Sequence, residues 1–209
     1  MTVLTRERVL LDALMRIASY QPDPDGIAKA AIYASASLVS HSEFGFVKPD
    51  TSDAVFFYEQ DFYVLSNFSA FAVTIFSRRF PTAEHAYHYA KFLGVDTAGA
   101  ANARQAITTA TSAHAAFVAS RAFASEVRDD WLDVRDAAMR EILIAKTRQH
   151  PYVREKLEAT GHRRLIEDSW RDDYWGWGPE RKGLNRLGEI WEGVRHDLRA
   201  GLIPDAPAA

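Results

Sequence analysis

The sequence of 209 residues contains no cysteine. That absence removes disulfides, thiol nucleophiles and cysteine-bound zinc together. The absence is compatible with a cytoplasmic setting, which is the one expected. An excess of either charge is also missing, because 25 Lys and Arg face 28 Asp and Glu, for a formal charge of −3. No global attraction to nucleic acid follows, and tight non-specific DNA binding is disfavoured, although a local basic patch stays open. Long apolar runs are absent as well. "VLLDALM" is short, broken by Asp12 and followed by no small-residue cleavage site, so neither a signal peptide nor a membrane span is expected.

What is present suffices for one good core, since 47% of residues are hydrophobic and 12% aromatic. Residues 4–20 carry an amphipathic stripe of Leu10, Leu11, Leu14, Met15 and Ile17. "QPDPDG" interrupts it, and a second helix is predicted over about 27–39. Residues 1–50 therefore read as an N-terminal helical extension. "AVFFYEQ" and "FAVTIFS" have strand composition, and "SRRF" turns the second into a hairpin. Pro81 and Thr82 signal a helix start, with Thr82 as N-cap. From Ala98 to His150 the pattern is mostly helical, with a stripe of Trp131, Val134, Ala138, Ile142 and Ala145. Pro151 restarts a helix that Gly161 ends, and "RLIED" reads as a short strand. A last helix begins near Asn185 and buries Leu187, Ile190, Trp191, Val194 and Leu198. The expectation is an α+β fold, a mainly helical single domain with a small β-sheet over residues 51–202, and a disordered tail over 203–209.

Two stretches carry unusual chemistry. In "RRFPTAEHAYHYAKF", Glu84, Tyr87, His88 and Lys91 share about a third of one helix face, and His85, Tyr89 and Phe92 form a second. An acid, an imidazole, an amine and a phenol on one face suit an active-site wall. They also suit a solvated face of ordinary helix-surface ion pairs. His85 and His88 are spaced to share a metal, but no H-E-x-x-H pattern accompanies them. In "DDYWGWGPERKGLNRLG", glycines permit close backbone approach and tryptophans offer flat stacking surfaces. Arg181, Lys182 and Arg186 can meet phosphate. The order of residues is neither a P-loop nor a Rossmann fingerprint. An ordered loop with its tryptophans in the core and its arginines in water is the alternative.

Both stretches, with two others, resemble the NADAR or YbiA-like family. "FPTAEHAYHYAKF" resembles its P-T-x-E-H…K-F block, and "LSNFSAF" its S-N-F segment. "RDDWLDVRDAAMREILIAKTRQH" is similar to its W…R…M…A-K helix. "LEATGHRRLIEDSWRDDYWGWGPERKGLNRLGEIWEGVR" is similar to its T-G…L-I-E…D-x-Y-W-G-x-G…G-x-N-x-L-G block. The four ordered blocks span about residues 55–200. The resemblance implies an α+β N-glycosidase that needs no cofactor and no metal. Family activities include cleaving phosphoribosylated intermediates of riboflavin synthesis and removing ADP-ribose from guanine bases of nucleic acid.

The same resemblance implies Glu84, Lys91 and Asp173 as catalytic residues. It points to Trp175 and Asn185 as well, and the polar and aromatic residues of the matching blocks supply the other expected substrate contacts, Asn67, Phe68, His85, Tyr87, His88, Trp131, Tyr174, Gly176, Lys182 and Arg186. His88 stands where relatives commonly carry Gln, and Trp177 where some carry Asp.

Breaking a ribose C1–N bond builds positive charge on the sugar, which a carboxylate stabilises. Glu84 is the first candidate and Asp173 the second, with His88, Tyr87 or a protonated carboxyl as proton donor. Lys91 is either a cationic contact or an amine that attacks C1 as a Schiff-base former. The cationic loop inclines the substrate toward an ADP-ribosyl group over a phosphoribosyl one, with ADP-ribosylated nucleic acid among the candidates. A nucleotide reader without turnover is the rival of another class. A homo-oligomer or a docking partner for residues 1–50 stays open.

Overall fold

The computed structural model describes residues 50–58 and 62–204. Chain contacts divide the protein at residue 49 into two units, and the second, residues 50–209, contains every element described below. The two helices expected before residue 40 lie outside the described residues.

Among the described residues, four strands form two small sheets. β1 (Ala54–Phe57) pairs in parallel with β4 (Arg164–Glu167), with Phe57 beside Glu167. β2 (Val73–Ile75) and β3 (Arg78–Phe80) make the expected antiparallel hairpin. Phe76 and Ser77 turn it, both with positive φ (53° and 57°), as a tight two-residue hairpin turn requires.

The described residues also form six α-helices: α1 (Ala83–Ala90), α2 (Ala98–Thr109), α3 (Ala113–Ala122), α4 (Trp131–Gln149), α5 (Pro151–Ala159) and α6 (Arg186–Arg199). The first three are capped by Thr82, Thr97 and Ser112, whose side chains accept backbone N–H groups of the first turn. Pro151 starts α5, and Gly161, at φ 61°, follows its end.

α1 is the centre of the assembly. It packs against α2, α3 and α4, and all eight of its residues are buried. A helix buried on every side has no solvated face. The surface-pair reading of Glu84 and His88 is thereby replaced by an internal hydrogen-bonded pair. α4 lies between α1, β2 and α6. Because it is held on several sides, its buried line runs through Trp131, Met139, Ile142, Leu143, Lys146 and Thr147, while Val134, Ala138 and Ala145 are only partly covered. The α6 residues expected inside are all buried. Ile203, expected in the tail, is also buried in the core, so the packed chain extends past residue 202.

Two buried side chains fix the loop before β2. Trp191 Nε1 donates to Leu65 O at 2.9 Å. Lys146 Nζ donates to Ser66 O at 2.9 Å and Ser69 Oγ at 2.8 Å, with no exposure to solvent. These contacts hold Asn67 and Phe68 in place from the core side.

Candidate active site

A cleft of about 440 Å³ opens between α1, the loop of residues 63–68, the end of β4 and the loop that follows it. This volume lies within the range of small-molecule sites. Glu84, Tyr87 and His88 enter from α1 and Lys91 from its C-terminal cap, Asn67 and Phe68 from the pinned loop, and Trp175 from the glycine-rich loop. Seven of the residues expected at the site therefore converge.

Glu84 Oε1 accepts from His88 Nε2 at 2.8 Å, both side chains being nearly inaccessible. That contact uses Nε2 and leaves His88 Nδ1 without a protein partner. Lys91 Nζ lies 5.3 Å from the Tyr87 ring centre and 5.9 Å from that of Trp131, with a long hydrogen bond (3.4 Å) to Ser120 Oγ. Burial lowers the Lys91 ammonium to about 8, against the opposing pull of the Glu84 charge; Arg121 pushes the same way as burial. Trp175 meets Tyr87 edge-on at 5.3 Å, and burial drives the Tyr87 phenol well above its usual range.

The cleft also contains a residue that the motif reading left in a strand. Glu167, the last residue of β4, lines it. Burial raises its carboxyl to about 8, and the negative charges of Asp172 and Glu84 add to the rise. Among the described residues, four buried side-chain polar atoms have no partner. Three of them, Asn67 Oδ1, His88 Nδ1 and Glu167 Oε2, belong to residues lining this one cleft. Buried polar atoms are almost always paired, so such a concentration marks a place built for a polar ligand. No three His, Asp or Glu side chains among the described residues lie close enough to share a metal ion.

The remaining candidates lie elsewhere, each for a visible reason. Asp172, not Asp173, lines the cleft. Its Oδ1 accepts from Tyr174 N (2.9 Å) and Trp175 N (2.8 Å), a turn that keeps residue 172 inside and sends Asp173 to a neighbouring groove with Tyr174 and Lys182. Lys182 is largely exposed near Glu180, and Arg186 is engaged by Asp136 (2.7 Å) and Glu189. Tyr174 donates to Asp136 Oδ1 at 2.7 Å. His85 is fully buried between Thr82 Oγ1 and the Ala110 carbonyl, and burial lowers its pKa, which makes it a neutral core histidine. Trp131 backs Tyr87 at 5.2 Å and does not line the cleft.

Asn185 and Gly176 act on the strand that carries Glu167. Asn185 Oδ1 accepts from Glu167 N (2.9 Å) and its Nδ2 donates to Leu165 O (2.8 Å), so the amide takes the place of a neighbouring strand. Its backbone adopts φ 54°, which Asn tolerates better than most residues. A Cβ on Gly176 would sit 2.9 Å from Glu167 O and 2.8 Å from Ser169 Cβ, so the loop folds this closely onto the strand only with glycine there. Besides Glu167 and Asp172, Ser169, Arg171, His114 and Phe117 line the cleft without having been picked out from the sequence. The L-I-E triplet ahead of the glycine loop was the available signal for Glu167, and the D-x-Y-W-G run the signal for Asp172; the others carry no motif.

A buried acid, imidazole and amine around one cleft are groups suited to acid–base and nucleophilic catalysis. The NADAR domain family model matches residues 56–199. An N-glycosidase of Nostoc punctiforme is 34% identical over 147 residues, covering 69% of this chain and 92% of that one. The N-glycosidase YbiA of Escherichia coli is 32% identical over 152 residues, covering 73% and 91%. A riboflavin biosynthesis protein of Vibrio vulnificus is 34% identical over 147 residues, 69% of this chain and 38% of that longer protein. The NMR structure of E. coli YbiA superimposes with a TM-score of 0.61 at 30% identity, covering 76% of this chain and 92% of that one. The chain belongs to the NADAR, YbiA-like family of N-glycosidases. Among the described residues no helix is long and apolar enough to cross a membrane.

Proposed function

We propose that the protein hydrolyses the C1–N bond of a phosphorylated ribose in the cleft around Glu84 and Lys91. The observation that carries this reading is the convergence there of a buried carboxylate–imidazole pair, a buried amine and three unpartnered polar atoms. Glu84, held by His88, stabilises the positive charge that develops on the sugar and takes a proton from water. Lys91 acts as the amine that adds to C1 of the opened sugar. A pKa near 8 leaves about a tenth of it neutral at pH 7, in keeping with an attacking amine. Tyr87, Phe68 and Trp175 supply aromatic surface for the base.

The geometry weakens the inclination toward an ADP-ribosyl substrate. Lys182 and Arg186, which suggested a pyrophosphate contact, point to other partners, and Arg181 is absent from the cleft lining. The cations that line the cleft are Lys91 and Arg171. With Lys91 assigned to the chemistry, Arg171 suits a single phosphate. This favours a phosphoribosylated amine of riboflavin synthesis, in keeping with the name of the Vibrio relative. Removal of ADP-ribose from guanine is the second reading. The adjoining groove of Tyr174, Trp177 and Lys182 offers aromatic and cationic contacts to a distal nucleotide.

Incubation with a phosphoribosylamine of riboflavin synthesis, with ADP-ribosylated guanosine and with ADP-ribosylated DNA separates these readings by the base and sugar released. Release from the first alone is expected. Release from the ADP-ribosylated pair alone establishes the second reading, and tight binding without any product makes the protein a nucleotide reader.

A further inference from the structure

The reaction needs a proton at the departing nitrogen, and the Glu84–His88 pair is occupied with the opposite task. A second carboxyl is placed for it. Glu167 reaches the cleft from the end of β4, whereas Glu84 reaches it from the first turn of α1. Glu84 has an imidazole partner at 2.8 Å; Glu167 Oε2 is buried with none. The strand end holding it is fixed by backbone contacts on both sides. Glu167 N donates to Asn185 Oδ1, and Glu167 O accepts from Trp177 N at 3.0 Å. Phe57, fully buried, flanks it in the sheet.

We propose that Glu167 is the general acid of the reaction, its protonated Oε2 giving a proton to the leaving nitrogen. The assignment rests on the N-glycosidase reading and deepens it. In the step, the C1–N bond breaks and its electron pair goes to nitrogen, which takes the Glu167 proton. C1 gains a bond to water oxygen, directly or after passing through the Lys91 imine. The water proton goes to the Glu84–His88 pair and returns through solvent to the Glu167 carboxylate. Net, one water is divided between base and sugar.

The surroundings keep this acid protonated. Asp172 in the following loop and Glu84 on α1 both oppose its ionisation, adding to burial. His88 and Tyr87 on α1, Lys91 at its C-terminal cap, His114 on α3, Tyr58, Tyr63 and, in the loop, Arg171 are the other ionisable groups lining the cleft. Two carboxyls in one site with different partners divide the labour of acid and base, a pattern of glycosidic bond cleavage in general.

The test is Glu167→Gln, whose amide has the shape of the protonated acid and removes no charge. Single-turnover base release from the phosphoribosylamine should fall about 10²–10⁴-fold, the usual range for a lost general acid. Affinity for ribose 5-phosphate should be unchanged, and the remaining rate should no longer decline on the alkaline side. Glu167→Asp, which keeps an acid at the position, should lose rate yet retain that alkaline decline. A Gln variant within tenfold of wild type with its alkaline decline intact overturns the assignment, as does an Asp variant lacking the decline. Wild-type protein that releases no base from any of the phosphoribosyl or ADP-ribosyl substrates instead overturns the N-glycosidase reading, and the assignment with it.

Discussion

The pH dependence of turnover follows from two buried groups and can be worked through. Burial lowers Lys91 to about 8, while burial and neighbouring carboxylates raise Glu167 to about 8. Attack at C1 needs the amine neutral, so Lys91 contributes activity that appears as pH rises through its pKa. Protonation of the leaving base needs Glu167 neutral, so its contribution is lost as pH rises through the same region. Near pH 8 each condition holds in about half the molecules, and about a quarter satisfy both. Near pH 6 the neutral amine is present in about one molecule in a hundred, which gives a rise of about 25-fold between the two and a matching fall by about pH 10. The assay is rapid-quench single-turnover base release across this range, which isolates the chemical step. Lys91→Arg should abolish the ascending limb together with activity, and Glu167→Gln should flatten only the descending one. A wild-type rate that is level from pH 6 to 8 refutes the reasoning, because then neither limb is set by the buried amine.

Glu84→Gln should reduce turnover about 10²–10⁴-fold while substrate binding, read by calorimetry, is retained; near-normal turnover removes Glu84 from the mechanism. Burial lowers Lys146 to about 7 from the ordinary lysine value of 10.5, so the unfolded chain binds an extra proton between those values and stability rises with pH across that window. Denaturant unfolding of wild type and Lys146→Met should therefore differ by an amount that changes with pH, by at most about 5 kcal/mol; a constant difference contradicts an isolated buried amine. Asn185→Ala should cost about 2–4 kcal/mol, from two lost hydrogen bonds to β4 and a left-handed backbone that Ala resists. An unchanged melting midpoint with lost activity would instead make Asn185 a substrate contact.

Much of this architecture is legible in the chain. Thr82 after Pro81 announces α1, and the spacing of Glu84, Tyr87, His88 and Lys91 puts them on one face of it. The apolar period of α6 marks its buried side, and the β2–β3 hairpin is readable from its strand residues. Periodicity does not tell whether a polar face meets water. α1 looked amphipathic because Glu84 and His88 are polar, yet they are buried as a pair. Lys146 hid in the same way, on a helix whose buried line includes an amine that anchors the Ser66–Ser69 loop. Glu167 was overlooked because an acid ending a short strand is ordinarily a surface residue. Its burial depends on Asn185, eighteen positions later, and on a loop that returns onto the strand through Gly176. The D-x-Y-W-G order itself places its aspartate at Asp172, and that side chain caps two backbone N–H groups, so Asp172 and not the adjacent Asp173 faces the cleft. Arg186 was read as a phosphate contact, but α4 supplies Asp136 to it from fifty residues away.

The most direct test of the account is borohydride quenching during turnover of a phosphoribosylamine, followed by peptide mass spectrometry. The account predicts free base in solution and a reduced phosphoribosyl adduct on Lys91, with both absent from Lys91→Arg. Base release without an adduct, undiminished in Lys91→Arg, contradicts the role of the amine. The absence of base release from any phosphoribosyl or ADP-ribosyl substrate contradicts the whole assignment of the cleft.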